Sequence, residues 1–379
     1  MALVLNEEQH LLQDTAKDFL VSNAPVGALR KLRDESDAIG YAPDLWKKMA
    51  EMGWASIILP EAYGGLEFGF LGLGVVLEES GRTLAASPLF ASAVVGASTI
   101  LLGGSEEQKQ SLLPAIASGE LTVALALEES HHHQPTNIAT TAKMDGETVV
   151  LNGAKCFVLD GHSADQLIVV ARSSGAARDS DGLTLVLVDR AIDGIKCQRT
   201  IMMDSRNSAS ITFENVVVTA DNIIGHVGQG WEILEPVLDR ARVAIAAEMM
   251  GVALEAFERT TAYLKEREQF GALIGSFQAL QHRQAHMQSE IELSRSVLLQ
   301  ALSTVDDAPQ ELPLLASLAK AKLNGLAKLI TNEAVQMHGG IGVTDEMDIG
   351  FFLKRARVAM QIYGDTGFHK DRYATLCGY

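Results

Sequence analysis

The chain has 379 residues, 47% of them hydrophobic and 21% charged, with a formal net charge of −17. That is ordinary globular composition, in a chain long enough for two or three domains and a sizeable core. The negative field repels phosphate backbones and anionic lipid, which argues against nucleic-acid and membrane partners while leaving room for a small anionic ligand held by local cations or helix N-termini.

The first third reads helical. Asn6 and Gln9 make a capping-box start, and Leu11, Leu12, Ala16 and Phe19 follow as an apolar stripe. The opening MALVLNEEQH lacks the basic segment and long apolar run of a signal peptide. Leu45, Met49 and Met52 recur at helical spacing, with Gly53 where a C-terminal cap falls and a breaker at Pro60–Gly65. The uncharged stretch Thr83–Gly104 has membrane-like length. Pro88 and Gly96 favour a buried, broken helix pair over a span.

From about Thr122 the character changes. Asp145-Gly146 and Asn152-Gly153 are turn signals, and strands follow at Gln166–Arg172, Leu183–Asp189 and Ser208–Val218. No helical pattern separates them, so an antiparallel barrel or sandwich is expected. After Trp231 long helices return at Arg240–Lys265, Gln278–Thr304 and Leu312–Met337, as in a four-helix bundle. The expectation is an α+β multidomain chain: helical domain 1–122, β domain 123–228, helical bundle 229–379. Cys156, Cys197 and Cys377 form no CxxC, and reduced thiols suit a cytoplasmic protein. Consecutive histidines, such as His131–His133, alternate faces on a strand and chelate poorly, so no metal is expected.

Three motifs stand out: Pro60–Gly65 (PEAYGG), Arg267-Glu268-Gln269-Phe270-Gly271 inside Tyr263–Met287, and Gln336 followed by Gly339-Gly340. In this order the chain resembles the acyl-CoA dehydrogenase superfamily over essentially its whole length. The resemblance implies a flavoprotein carrying FAD across a subunit boundary, in a dimer or dimer of dimers. Its reaction would be α,β-desaturation of an acyl-CoA, with electrons passed to an electron-transferring flavoprotein. It also implies that Arg267, with Gln269 beside it, pairs with the flavin pyrophosphate and that Phe270 packs on the adenosine end. Gln336, Gly339 and Gly340 would reach the dinucleotide from a neighbouring subunit, with Thr366 close by.

Departures from the family pattern are equally specific. The family's K-x-W-I-T-N-G reads Lys155-Cys156-Phe157-Val158-Leu159-Asp160-Gly161 here. Phe157 can still pack on a flavin ring, but Leu159 offers it no hydroxyl. Glu128 falls where a threonine meets the flavin pyrimidine, and a carboxylate there opposes reduction. The loop after it is expected to line the acyl-CoA entrance.

The family's base is the glutamate of Y-E-G-T, and this chain has Tyr363-Gly364-Asp365-Thr366. The alternative base position, before an arginine, holds Ala241-Arg242. Three readings stay open. Asp365 is the base, one position along, with the Gly364 N–H donating to the thioester oxygen and Arg242 organising the site. A bacterial branch sharing the run that starts at Tyr263 carries the same Gly-Asp. Alternatively, Asp365 only caps the next helix and the chain is one subunit of a mixed oligomer, completed by a sister acyl-CoA dehydrogenase chain. The third reading is a base-independent reaction such as desulfination.

Overall fold

The opening of the chain folds as its capping signal predicts. The structure, a computed structural model, describes residues 4–379. Helix α1 (Glu7–Asn23) begins at Asn6, whose side chain accepts from the Gln9 N–H while its own N–H donates back to the Gln9 side chain. Helices α2 (Val26–Asp34) and α3 (Pro43–Glu51) follow, and Gly53, at φ +80°, turns the chain out of α3. Next come α4 (Gly69–Thr83), a π-helical stretch at Leu89–Gly96, α5 (Ala97–Gly103) and α6 (Glu106–Ala117). The uncharged stretch is thus a broken helix, and no described helix is long and apolar enough to cross a membrane.

The strands are β1 (Val123–Ala126), β2 (Thr141–Asp145), β3 (Thr148–Leu159), β4 (Gln166–Arg172), β5 (Leu183–Asp189), β6 (Ile195–Ile201), β7 (Asn207–Thr219) and β8 (Ile223–Ile224). They form one sheet ordered β6-β7-β3-β2-β4-β5-β8, with β1 beside β4. Pairing is mostly antiparallel, with β1 and β2 each running parallel to β4. Val149, Leu151, Val169, Val186, Ile211 and Phe213 fill its core.

Asp145-Gly146 makes the β2–β3 turn, but Asn152-Gly153 does not make a second. It lies inside β3, where the register against β7 slips between Leu151 and Gly153. Gly153 sits at φ +150°, and a Cβ there would lie 2.5 Å from the Thr140 hydroxyl. The glycine serves a bulge and a close backbone approach.

The remaining elements are α7 (Gly230–Glu266), the two-residue strands β9 (Glu268–Gln269) and β10 (Ala272–Leu273), α8 (Gln278–Asp307), α9 (Leu312–His338), α10 (Ile349–Ala359) and α11 (Thr366–Leu376). Contacts divide the chain into two compact units. One holds the residues up to Lys31 with Phe70–Ala85 and Arg242–Tyr379; the other holds Leu32–Gly69 and Ala86–Ala241. In the first, α4 and α7 cross through paired glycines: a Cβ on Gly81 would lie 2.1 Å from the Glu248 carbonyl oxygen, and one on Gly251 1.7 Å from that of Glu78. No side chain fits between those backbones.

Candidate active site

The segment between α10 and α11 is a turn whose carbonyls are tied down by buried side chains. Tyr363 adopts φ +53° and Gly364 φ +118°. The Tyr363 carbonyl accepts from Arg242 Nε at 3.2 Å and from His369 Nε2 at 3.1 Å. That bond makes Nε2 the protonated nitrogen and leaves Nδ1 facing Ser317 Oγ at 3.5 Å. The Gly364 carbonyl accepts from Lys320 Nζ at 3.1 Å. The same amine reaches the carbonyls of Ala359 at 3.0 Å and Met360 at 3.2 Å and the Asn324 side-chain oxygen at 3.0 Å. Burial pushes the Lys320 amine well below the ordinary lysine range, the Arg242 guanidinium pushes it further, and Asp365 opposes both. Arg242 is itself buried, 5.4 Å from the centre of the Phe368 ring.

Asp365 is exposed and caps α11, its Oδ1 accepting from the Phe368 N–H at 2.8 Å. The Gly364 N–H points back to the Gln361 carbonyl at a long 3.3 Å. A Cβ at position 364 would lie 2.5 Å from the Phe368 ring and 2.6 Å from His369 Nε2. Position 364, where the resemblance puts a glutamate, has no room for a side chain in this turn. Ala241, the other customary base position, is buried.

Lys320, Asn324 and His369 were not singled out from the sequence. A signal existed for the lysine: it interrupts the apolar face formed by Ala316, Leu323 and Ala327 on α9. The carbonyls it serves, from Ala359 to Gly364, are far along the chain, and no local pattern announces them.

The dinucleotide motifs occupy the end of α7 and the end of α9. Arg267 is exposed, and its guanidinium makes no hydrogen bond or ion pair among the described residues. Gln269 folds its amide back onto the Glu268 carbonyl at 2.8 Å. Phe270, at φ +57°, is 94% exposed on the β9–β10 hairpin, 6.3 Å from Phe277. One turn before Arg267, Tyr263 stacks on His338 at 4.4 Å, so the protomer ties the arginine motif to the residue preceding Gly339. Gln336 and Gly339 line a crevice of about 330 Å³ with Asn332, Val335, Val343 and Leu353. Added Cβ atoms on Gly339 and Gly340 would meet nothing within 4 Å, so the backbone there is open to a ligand. An unpaired planar cation, an uncovered aromatic ring and bare glycine backbone suit a dinucleotide with two phosphates.

On the β unit, two adjacent carboxylates after β1 are each paired. Glu129 accepts from Lys155 Nζ at 2.7 Å and from the N–H groups of Ala139 and Thr140 at 2.6 and 2.9 Å. These donors hold its carboxyl below the usual range against the burial that would raise it. Burial in turn lowers the Lys155 amine to about 8, against the pull of Glu129. Glu128 accepts from His133 Nδ1 at 2.5 Å. Phe157 lies at the β3 bulge with φ +51°, its ring edge-on to His131 at 5.7 Å, and Leu159 ends the strand. Phe157, Phe270 and Tyr363 are the aromatic residues with positive φ among the described residues, and each sits in a singled-out motif. Bulky side chains in that region carry backbone strain, which gathers at functional sites.

The sequence matches three consecutive family models: the acyl-CoA dehydrogenase N-terminal domain at residues 6–120, the middle domain at 124–216 and the C-terminal domain at 228–375. It is 33% identical to cyclohex-1-ene-1-carbonyl-CoA dehydrogenase of Geobacter metallireducens, over 96% of this chain and 95% of that one. A chain in a structure of the electron transferring flavoprotein of Acidaminococcus fermentans superposes with a TM-score of 0.92 at 28% identity, covering 100% of this chain and 99% of that one. One from a variant of the Tcur3481-Tcur3483 steroid ACAD gives 0.88 at 31% identity, covering 98% of each. With a third of its residues shared along nearly the full length of a curated relative, and all three domain models matched in order, the chain belongs to the acyl-CoA dehydrogenase family.

Proposed function

We propose that the chain desaturates an acyl-CoA thioester between its α and β carbons and passes the electrons to an electron-transferring flavoprotein. The cofactor of this family is FAD, and the Arg267 hairpin and the Gly339 crevice fit its dinucleotide half. Bound there, the flavin supplies the acceptor for the hydride that leaves the β carbon. The chain's own residues have four other tasks. Arg267 and Gln269 hold phosphate, with Phe270 against the adenosine. Gln336, Gly339 and Gly340 reach the dinucleotide of a neighbouring copy. Phe157 and Leu159 border the flavin ring, and Thr366 lies near the same cofactor.

The fourth task is the α-proton. In this reading Asp365 takes it, its carboxylate leaving the Phe368 N–H to do so. The Gly364 N–H exchanges its 3.3 Å bond to Gln361 for the thioester oxygen, where negative charge develops. The observation that carries the reading is the fixation of this turn: Arg242, His369 and Lys320 hold its two carbonyls and so fix where the adjacent N–H groups point.

One observation favours a second reading, a half-site subunit completed by a sister chain. Position 364 has no room for the family's glutamate, and the nearest carboxylate already serves as a cap. A similar chain at 31% identity comes from the Tcur3481-Tcur3483 steroid ACAD.

Anaerobic titration of the purified chain with straight-chain, branched and steroid-derived CoA esters tests both. Bleaching of the flavin band by the lone chain supports the first reading. Bleaching that needs a co-encoded sister chain supports the second. A chain that takes up no FAD overturns both.

A further inference from the structure

The Glu128–His133 contact is not used by the reaction above, and it changes what a carboxylate at position 128 does. Glu128 Oε1 and His133 Nδ1 are 2.5 Å apart. The imidazole is almost wholly enclosed, with 4% of its side chain exposed, and the carboxylate keeps 17%. The loop between the two residues is stapled to β3. The Cys156 N–H donates to the Glu128 carbonyl at 2.8 Å and Cys156 Sγ approaches the Ser130 carbonyl at 3.4 Å. Of the charged and titratable groups near the pair, Lys155 is bonded to Glu129 at 2.7 Å, and Glu128 acts on both Lys155 and Cys156 from across the gap. His131 is stacked edge-on against Phe157. Glu129 is therefore the partner of Lys155, and Glu128 is left to His133.

We infer that Glu128 and His133 act as one charge-compensated unit that sets the reduction potential of the bound flavin. The inference rests on the reading that position 128 borders the flavin ring. A bare carboxylate beside the ring disfavours adding electrons. A protonated imidazole at 2.5 Å makes the pair formally neutral and removes most of that penalty. The pair takes no electrons and exchanges no atoms with the flavin; it acts through its field. His133 thereby permits an acidic residue where it otherwise opposes reduction.

The test is spectroelectrochemical titration of the FAD-loaded protein at neutral pH for the parent, E128Q, H133Q and the double variant, with FAD affinity measured alongside. The double variant places two neutral amides at the site and leaves the backbone contact with Cys156 in place, so it reports even if H133Q fails to fold. H133Q uncovers the carboxylate and should make flavin reduction at least about tenfold less favourable, ~30 mV for a two-electron couple. E128Q leaves an enclosed imidazole without its carboxylate, which burial favours in the neutral form, so its flavin should be as easy to reduce as the parent's or easier. The double variant should fall back to within about threefold of the parent, since neither charge remains. FAD bound with parental affinity at an unchanged potential in H133Q, or a double variant whose flavin is at least about tenfold easier to reduce than the parent's, overturns the pair as a tuning device while leaving the flavin reading intact. Failure of the parent to bind FAD overturns the flavin reading and this inference together.

Discussion

Asparagine at position 365 separates the two roles open to that carboxylate. Asn caps helices about as well as Asp, so D365N should change stability by less than about 0.5 kcal/mol. If Asp365 also takes the α-proton, flavin bleaching by an acyl-CoA should slow by roughly a hundredfold or more, because the amide accepts no proton. Rapid mixing under anaerobic conditions gives the rate, and a D365N protein that bleaches at the parental rate assigns the carboxylate to capping alone. Arg267 is the corresponding probe for the cofactor. Its guanidinium has no partner among the described residues, so R267M should leave the fold intact while weakening FAD binding by about tenfold or more, read by equilibrium dialysis. The same change to lysine keeps the charge but loses the planar fork, and should recover only part of the loss.

Among the elements, α9 contributes most that the sequence did not reveal. Lys320 places one amine among three carbonyls from the α10–α11 connection. K320M fits the space but strands those acceptors, so it should destabilise the protein by about 3 kcal/mol, measured as a fall in urea midpoint. The β unit offers a pH signature instead. The Lys155 amine is lowered to about 8 in the folded protein, and a free lysine titrates near 10.4. Between those values the unfolded chain holds a proton that the folded chain lacks. Stability should therefore rise with pH across that window, by at most about 1.4 kcal/mol per unit, and K155M should lack that rise. Local signals explain what was legible. The Asn6–Gln9 cap, the long helices and the Asp145-Gly146 turn are written in neighbouring residues. The Gly153 bulge against Thr140, the π-helical turn at Leu89–Gly96 and the Lys320 cluster depend on partners distant in sequence or on backbone packing, which periodicity does not encode. The candidate site was legible in the same uneven way: the motifs drew attention to Gly364 and Asp365, but only the folded turn shows that the first has no room and the second is a cap.

For the whole molecule, the uncovered Phe270 and the bare Gly339 crevice set an expectation about assembly. An aromatic ring 94% exposed on a two-residue hairpin is poorly placed for a lone protomer in water. Sedimentation of the purified chain should therefore show a dimer or larger, and F270S should shift the population toward monomer and weaken FAD retention in parallel. If the chain needs a sister polypeptide, co-expression should instead yield a mixed species, with bleaching activity appearing in that fraction alone.

The crowding around Gly364 also bears on what can replace it. Glycine codons lie a single base from those of alanine, valine, aspartate or glutamate, so larger residues are offered at this position continually. Any of them would land a side chain on Phe368 and His369, in a backbone conformation at φ +118° that suits glycine alone. Admitting one would need the turn and both neighbours to change together, which no single substitution supplies.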